Sequence, residues 1–145
     1  MNYVTLSMAI EKHAYVIKAS GGLEGIVPGN QEHLESLLLF VQSDEYYPSF
    51  IEKLAFLTYA IAKDHIFIDG NKRSAITIGA YFMAINDYDD LIPRYMEEME
   101  NYIVWTTENR ISREDLIEKI SYIILDIEET EEFKLKIINK ISRRV

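Results

Sequence analysis

The chain has 145 residues, of which 48% are hydrophobic and 27% charged, a composition that excludes a disordered protein and suits one domain over residues 1–145. The net charge of −9 argues against a general nucleic-acid binder, and the lack of cysteine excludes disulfides and thiolate zinc sites. With no apolar run of membrane-spanning length and no signal-peptide pattern, we expect a cytoplasmic protein without a membrane partner.

The N-terminal half predicts helices separated by one glycine-rich loop. Four of the six glycines fall in GGLEGIVPG, Gly21 to Gly29, which we interpret as a loop or short hairpin because glycine and proline interrupt a helix. The segment from about Lys72 to Asn86 has no charged residue between Arg73 and Asp87, which indicates a buried central helix. Apolar residues at helical spacing predict the other helices at about residues 3–19, from a capping Asn30, and at 47–64.

The C-terminal third predicts more amphipathic helices. One follows Pro93, and the next begins at Ser112 and Asp115, which match a capping box. A last helix has acids at its start and basic residues at its end, which complements the helix dipole; the basic residues are Lys136, Lys140, Arg143 and Arg144. No strand pattern is present, so the predicted class is all-α, with a motif-bearing core at about 1–90 and C-terminal helices at about 91–145.

A polar loop, HIFIDGNKRSA, separates the third and fourth predicted helices. The start of a helix presents unpaired backbone N–H groups and the positive end of its dipole, which favours a bound anion. The amides of Gly70, Asn71 and Lys72 would point at that anion. Lys72 and Arg73 would add charge, with Arg73 able to bind phosphate oxygens in a bidentate manner.

Two further residues of this loop fit phosphoryl or nucleotidyl transfer. Asp69 would repel a bare phosphate, but one carboxylate together with substrate phosphates is a common way to hold Mg²⁺. His65 can accept a proton from an attacking hydroxyl near neutral pH. A purely structural interpretation stays open: Asp69 or Asn71 caps the helix, and the cations form a solvated first turn.

The same residues resemble the Fic/Doc family, whose core reads H-x-F-x-[D/E]-G-N-G-R-x-x-R on a loop between two helices of an all-α fold. Most of the motif matches, but Lys72 stands at a family glycine and Ile76 at a second arginine. Both departures are similar to the death-on-curing (Doc) branch, whose motif ends in NKR. The matching positions are His65, Phe67, Asp69, Gly70, Asn71 and Arg73. The resemblance extends more weakly from the glycine-rich loop to about Tyr88.

The resemblance implies roles for the matching residues. His65 would be the general base, Asp69 the Mg²⁺ ligand, and Gly70, Asn71, Lys72 and Arg73 the groups that bind the phosphates of ATP. Phe67 would anchor the loop. The family also uses a flap in the glycine-rich segment to align its target peptide by strand addition; here it would comprise Gly22, Leu23, Glu24, Gly25 and Ile26.

The departures at Lys72 and Ile76 bear on the reaction. The Doc branch transfers the γ-phosphate of ATP to translation elongation factor Tu, so the resemblance implies a toxin that phosphorylates a Ser/Thr hydroxyl. AMP transfer to a protein hydroxyl and a non-catalytic binding module are the alternatives. Ser20 and Glu24 also fit the family's inhibitory pattern, but the usual partner of that glutamate is the arginine that Ile76 replaces. Control by a separate antitoxin polypeptide is therefore the expectation.

Overall fold

The computed structural model of this protein describes residues 1–143. It contains seven α-helices and one short 3₁₀ helix, Asp89–Leu91. The helices are α1 Leu6–Ser20, α2 Asn30–Phe40, α3 Phe50–Lys63, α4 Asn71–Ala84, α5 Ile92–Thr107, α6 Arg113–Ile124 and α7 Glu131–Ile141. None of these helices is long and apolar enough to cross a membrane.

Local hydrogen bonds explain where several helices begin. The side chains of Thr5 and Ser49 accept from backbone amides in the first turns of α1 and α3. The predicted capping box of α6 is confirmed, because Ser112 and Asp115 bond to each other's backbone amides. The prediction that Asn30 caps α2 is wrong: Gly29 takes the cap position in a left-handed conformation, and Asn30 is the first helical residue.

Helix α4 lies at the centre of the molecule and packs against α1, α3 and α5. The prediction of a buried central helix is confirmed, since Ala75, Ile78, Phe82 and Met83 are fully buried. These side chains belong to one hydrophobic core that extends from Val4 to Ile137. Burial of this apolar surface supplies most of the stabilisation of a helical domain.

Gly79 marks the closest packing of α4 against its neighbours. The hydroxyl of Tyr95, in α5, lies where a side chain at Gly79 would project, and it is 2.9 Å from the hydroxyl of Thr58 in α3. Burial raises the pKa of Tyr95, so this hydroxyl stays protonated and can donate. The glycine costs helix propensity, and its missing side chain lets three helices meet.

The glycine-rich segment is a loop that pairs with the polar loop HIFIDGNKRSA, which we call the motif loop. Ile26 and Phe67 form an isolated antiparallel bridge, with hydrogen bonds from Val27 N to Ile66 O (2.9 Å) and from Ile68 N to Gly25 O (3.0 Å). This segment does not form a hairpin of its own, and residues 1–143 contain no longer strand. The predicted all-α class is confirmed.

The basic residues of α7 form ion pairs with α6 in addition to complementing the dipole of their own helix. Lys136 and Lys140 form ion pairs with Asp115 of α6, at 3.2 Å and 2.6 Å. Asp115 is buried, and these contacts compensate the cost of burying its charge. Arg144, part of the predicted basic end, lies outside the described residues.

We predict that Gly79→Ala destabilises the protein. Its Cβ would lie 2.0 Å from the Tyr95 hydroxyl and 2.9 Å from that of Thr58. Relief of this overlap should cost about 1–3 kcal/mol, more than the helix propensity of alanine recovers. Urea unfolding measures the change. Adding Tyr95→Phe should restore part of the loss, because it removes the atom that the new methyl meets. Equal or greater stability of Gly79→Ala would contradict this packing.

Candidate functional site

The motif loop begins where α3 ends. His65 has a positive φ of 51°, a left-handed conformation that stops the helix and turns the chain. Two residues of α2 brace this turn. The side-chain amide of Asn30 donates to the carbonyl of His65 at 3.0 Å, and His33 Nε2 is 2.7 Å from Asp64 Oδ2. The mispredicted cap residue Asn30 therefore has a different role: it fixes the backbone of His65.

Asn71 holds the middle of the loop against α4. Its Oδ1 accepts from the backbone N–H of Phe67, and its Nδ2 donates to the carbonyl of Phe67, both at 2.9 Å. The amide thus satisfies both backbone groups of one buried residue, as a neighbouring strand would. The predicted role of Asn71 in phosphate binding concerns its backbone N–H; the side chain has the separate role of fixing the loop.

A histidine of α1 supports the loop from below. His13 is 3% exposed, and its ring stacks on that of Phe67 with a centroid distance of 3.8 Å and an angle of 7° between planes. His13 Nδ1 is 2.8 Å from the Ser74 hydroxyl, whereas buried Nε2 has no partner in residues 1–143. The buried ring therefore has a hydrogen-bond partner at only one of its two nitrogens. No spacing pattern in the sequence could have joined His13 to the motif.

The start of α4 offers the geometry expected of an anion site. Gly70 precedes the helix in a left-handed conformation, with φ of 72°. The first helical hydrogen bond runs from Ser74 N to Gly70 O at 2.9 Å, so the amides of Asn71, Lys72 and Arg73 come before it. The Gly70 amide, which was expected to face the anion, donates instead to Asp69 Oδ1 at 2.8 Å.

Asp69 is held by the loop and by the glycine-rich segment. Its Oδ2 accepts from the backbone N–H of Leu23 at 3.2 Å, and its Oδ1 lies 3.9 Å from the Arg73 guanidinium. A side chain at Gly22 would come within 2.6 Å of Asp69 Oδ2, so only glycine permits this approach. The half-exposed carboxylate keeps lone pairs free, which fits Mg²⁺ held by one carboxylate together with nucleotide phosphates. Residues 1–143 contain no group of three or more acidic or histidine side chains able to hold a metal alone.

Arg73 links the motif to the end of α1. Its guanidinium donates to the Ser20 hydroxyl and to the carbonyl of Gly21, the latter at 3.1 Å. The side chain is nevertheless 43% exposed. Since guanidinium has five N–H donors, these contacts orient it and leave donors for a phosphate.

The predicted site residues come together around one open pocket of about 280 Å³. The exposed His65 and Lys72 stand on its wall, so a proton acceptor and a cation face the same space. The predicted flap residues Gly22 to Ile26 lie alongside the motif loop rather than in this pocket. The pocket is lined by Ala62, His65, Ile68, Asp69, Gly70, Asn71, Lys72 and Arg73. It combines groups that can bind an anion with a base that can accept a proton from a hydroxyl.

We predict that Asn71→Asp destabilises the motif loop. The new carboxylate could still accept from Phe67 N–H, but it would face the Phe67 carbonyl without a donor. An unsatisfied group of this kind costs about 1–3 kcal/mol. Hydrogen exchange at the Phe67 amide should accelerate together with the loss in unfolding free energy. Gln31→Glu, the same chemical change at an exposed position in the first turn of α2, is the matched control. Unchanged exchange in Asn71→Asp would disprove the clamp.

We also predict that His13 makes stability depend on pH. Burial is the largest influence and lowers its pKa; Glu24 and Asp69 act in the opposite direction, and Arg73 in the same one. In the unfolded chain, His13 binds a proton with a pKa of about 6.5, and in the folded protein it binds that proton less readily. Stability is therefore full above that pH and falls below it, by at most about 1.4 kcal/mol per pH unit.

Urea unfolding between pH 7 and pH 5 measures this dependence. His13→Gln should reduce the slope by up to one proton per molecule, whereas Gln31→Ala, at an exposed position that does not titrate, should leave it unchanged. Identical slopes for the wild type and His13→Gln would contradict a buried neutral histidine.

Comparisons with known proteins agree with the geometry of the pocket. The model of the Fic/DOC family matches residues 3–83, more than half of the chain, and this range covers α1 to α3, both loops of the site and all of α4 but its last residue. No curated protein matched the chain. Taken with the all-α fold and the motif loop between two helices, the match shows that the chain belongs to the Fic/DOC family.

Proposed function

We propose that this protein transfers the γ-phosphoryl group of ATP to a Ser or Thr hydroxyl of another protein. Members of its family commonly act as transferases on protein hydroxyls. The observation that carries the proposal is the shared pocket of His65, Asp69, Lys72 and Arg73, where a base, a carboxylate and two cations meet at a helix start. Phosphoryl transfer needs mainly positioning and neutralisation of charge, and these groups provide both.

In the proposed reaction, His65 takes the proton of the acceptor hydroxyl as its oxygen attacks the γ-phosphorus. The bond from that phosphorus to the β–γ bridging oxygen breaks, and ADP leaves. Lys72, Arg73 and the first amides of α4 stabilise the charge on the transferred group. Asp69 would hold Mg²⁺, which neutralises phosphate charge when it is bound.

Two residues favour phosphoryl transfer over AMP transfer. Lys72 is exposed and adds a cation where most Fic proteins have glycine, so it fills space and changes charge beside the phosphates. Ile76 is only 8% exposed and replaces the second arginine of the motif, so a clamp at the far end of the phosphate chain is missing. AMP transfer is the alternative, because the remaining residues serve either reaction.

The glycine-rich segment supports a protein substrate. Gly25 O and Val27 N bond to the motif loop, so the N–H and C=O of Ile26 between them point to the other side, as strand geometry requires. A target strand could pair there next to the pocket. We propose a translation factor such as elongation factor Tu as the target. We also propose that this protein is the toxin of a toxin–antitoxin pair, in which a separate antitoxin polypeptide restrains the activity.

Label transfer tests the proposed reaction. The full chain is incubated with elongation factor Tu, Mg²⁺ and ATP labelled at either the γ- or the α-phosphate. We expect label on the target from γ-labelled ATP alone. Label from the α-phosphate would replace this proposal by AMP transfer. No label from either, with intact fold and without growth arrest on expression, would favour a non-catalytic binding module.

His65→Ala should lower transfer by about 100-fold or more, because a general base contributes about 10²–10⁴ in rate. ATP binding should persist, since the base acts on the acceptor. Tyr46→Ala, at an exposed residue outside the pocket, is the control and should transfer at the wild-type rate. Full activity of His65→Ala would refute its role as the base.

A further inference from the structure

A wide pocket of about 560 Å³ lies in the C-terminal part of the chain, outside residues 3–83. One wall is a stripe of α5, and the other wall comes from α6, from α7 and from the segment between them. We call it the Trp105 pocket, after the only tryptophan of the chain. The α5 residues of this wall recur at spacings of three and four and so share one face of the helix; they are Arg94, Glu97, Glu98, Asn101, Tyr102 and Trp105.

The cations of this pocket already have partners. Lys119, whose side chain is only 4% exposed, bonds to Glu98 at 2.5 Å and also to Glu129. Arg94 bonds to Glu98 at 2.8 Å, and Lys134 pairs with a glutamate of its own helix at 3.3 Å. An anion in this pocket would have to compete with a carboxylate for every cation, which disfavours an anionic ligand.

Two carboxylates of the pocket are free to meet a ligand. Glu97 and Glu128 are exposed and form no ion pair or hydrogen bond within residues 1–143. The unpaired charge of the pocket is therefore negative, which favours a cation. A metal ion is not the cation that this arrangement suits, because the part of the chain described by the structure has no group of three acidic or histidine side chains able to hold one. A larger organic cation fits the size of the pocket better.

The Tyr102 hydroxyl is an independent indication of a ligand. Tyr102 is only 9% exposed, yet its hydroxyl has no hydrogen-bond partner as far as residue 143, whereas buried tyrosine hydroxyls usually have one. The hydroxyl is open to the pocket, because His13 Nε2 is the only enclosed side-chain polar atom without a partner in residues 1–143. Burial and the nearby carboxylates of Glu129 and Glu98 raise the pKa of Tyr102, so the hydroxyl stays protonated in a negative field. Its lone pairs can accept from a cationic donor.

Trp105 has the flat surface on which a guanidinium group stacks. Its half-buried ring lies 5.2 Å from that of Tyr102 in an edge-to-face arrangement. The Tyr102 ring already has the Lys119 ammonium 4.8 Å from its centre, but no cation of residues 1–143 lies over Trp105. Indole is the best partner for a cation among the aromatic rings, and a planar guanidinium with five N–H donors can also reach several acceptors at once.

We propose that the Trp105 pocket binds a guanidinium group, stacked on Trp105 and held by Glu97, Glu128 and the Tyr102 hydroxyl. The group belongs either to a small guanidine compound or to an arginine side chain of a partner polypeptide. None of the residues of the proposed transfer reaction lines this pocket, so the inference does not depend on that reaction. It gives the C-terminal helices a recognition role of their own.

Fluorescence of the full chain tests the site, because Trp105 is its only tryptophan. The protein is titrated with N-acetylargininamide and with N-acetylcitrullinamide, which has a similar shape but no charge. We expect a saturable change in emission with the arginine compound and none with the citrulline compound. Equal responses to both, no response to the arginine compound at millimolar concentration, or a response to inorganic phosphate instead would overturn the site.

A third ligand distinguishes the two sources of the guanidinium. Tighter binding of N-acetyl-Gly-Arg-Gly-amide than of N-acetylargininamide assigns the site to a polypeptide, because contacts to the flanking backbone then add to those of the side chain. Equal binding of the two ligands assigns the site to a small guanidine compound. Both results support recognition of the guanidinium.

Variants assign the binding to the named groups. Glu97→Gln combined with Glu128→Gln should weaken the arginine compound about tenfold, and Tyr102→Phe should do so by about the same factor, since each removes acceptors for a charged donor. Tyr102→Phe leaves no protein group unpaired, and urea unfolding should confirm that its fold is intact. Glu11→Gln combined with Glu35→Gln removes the same charge at exposed positions outside the pocket, and this matched control should bind as the wild type does. Unchanged affinity in the Glu97 and Glu128 double variant or in Tyr102→Phe overturns the proposal.

Discussion

The two hydrogen bonds between the Asn71 side chain and the backbone of Phe67 determine the shape of the motif loop. They join the first residue of α4 to the middle of the loop, while the Phe67 ring is buried against His13. A loop that is fixed both at its backbone and at its buried ring has little freedom to move. The side chains of His65 and Lys72 are exposed, but the fixed loop between them keeps both on the wall of one pocket. Such fixed positioning is what a transfer site requires.

The helix positions and the motif could be predicted from the sequence, because both depend on residues that are close together along the chain. The absence of charged residues between Arg73 and Asp87 indicated α4 as the buried helix, and the Ser112 capping box marked the start of α6. The polar residues of HIFIDGNKRSA indicated the loop between α3 and α4. Family membership and the all-α class follow from these local signals, and both agree with the structure and the comparison.

Contacts between distant segments were not accessible in this way. His13 reaches Phe67 only because α1 and α4 pack together, and no local pattern distinguishes it from a surface histidine. Asn30 has the side chain of a helix cap, yet Gly29 takes that position and Asn30 bonds to His65. The Gly70 amide was predicted to face an anion but donates to Asp69, and the Asn71 side chain bonds to Phe67, a contact that the sequence did not indicate. Polar groups have several possible partners, and packing decides among them.

The contact at Gly79 joins the region that the family model matches to a helix beyond it. The match ends at residue 83, within α4, yet Tyr95 from beyond it fills the space that Gly79 leaves open. The Tyr95 hydroxyl also meets Thr58 inside the core. A fragment cut at the end of the matched region would lose this side chain and would expose the buried face of α4 to water. Helix α5 carries no motif residue but packs on the two helices that flank the motif loop, so dissection of this protein should keep it.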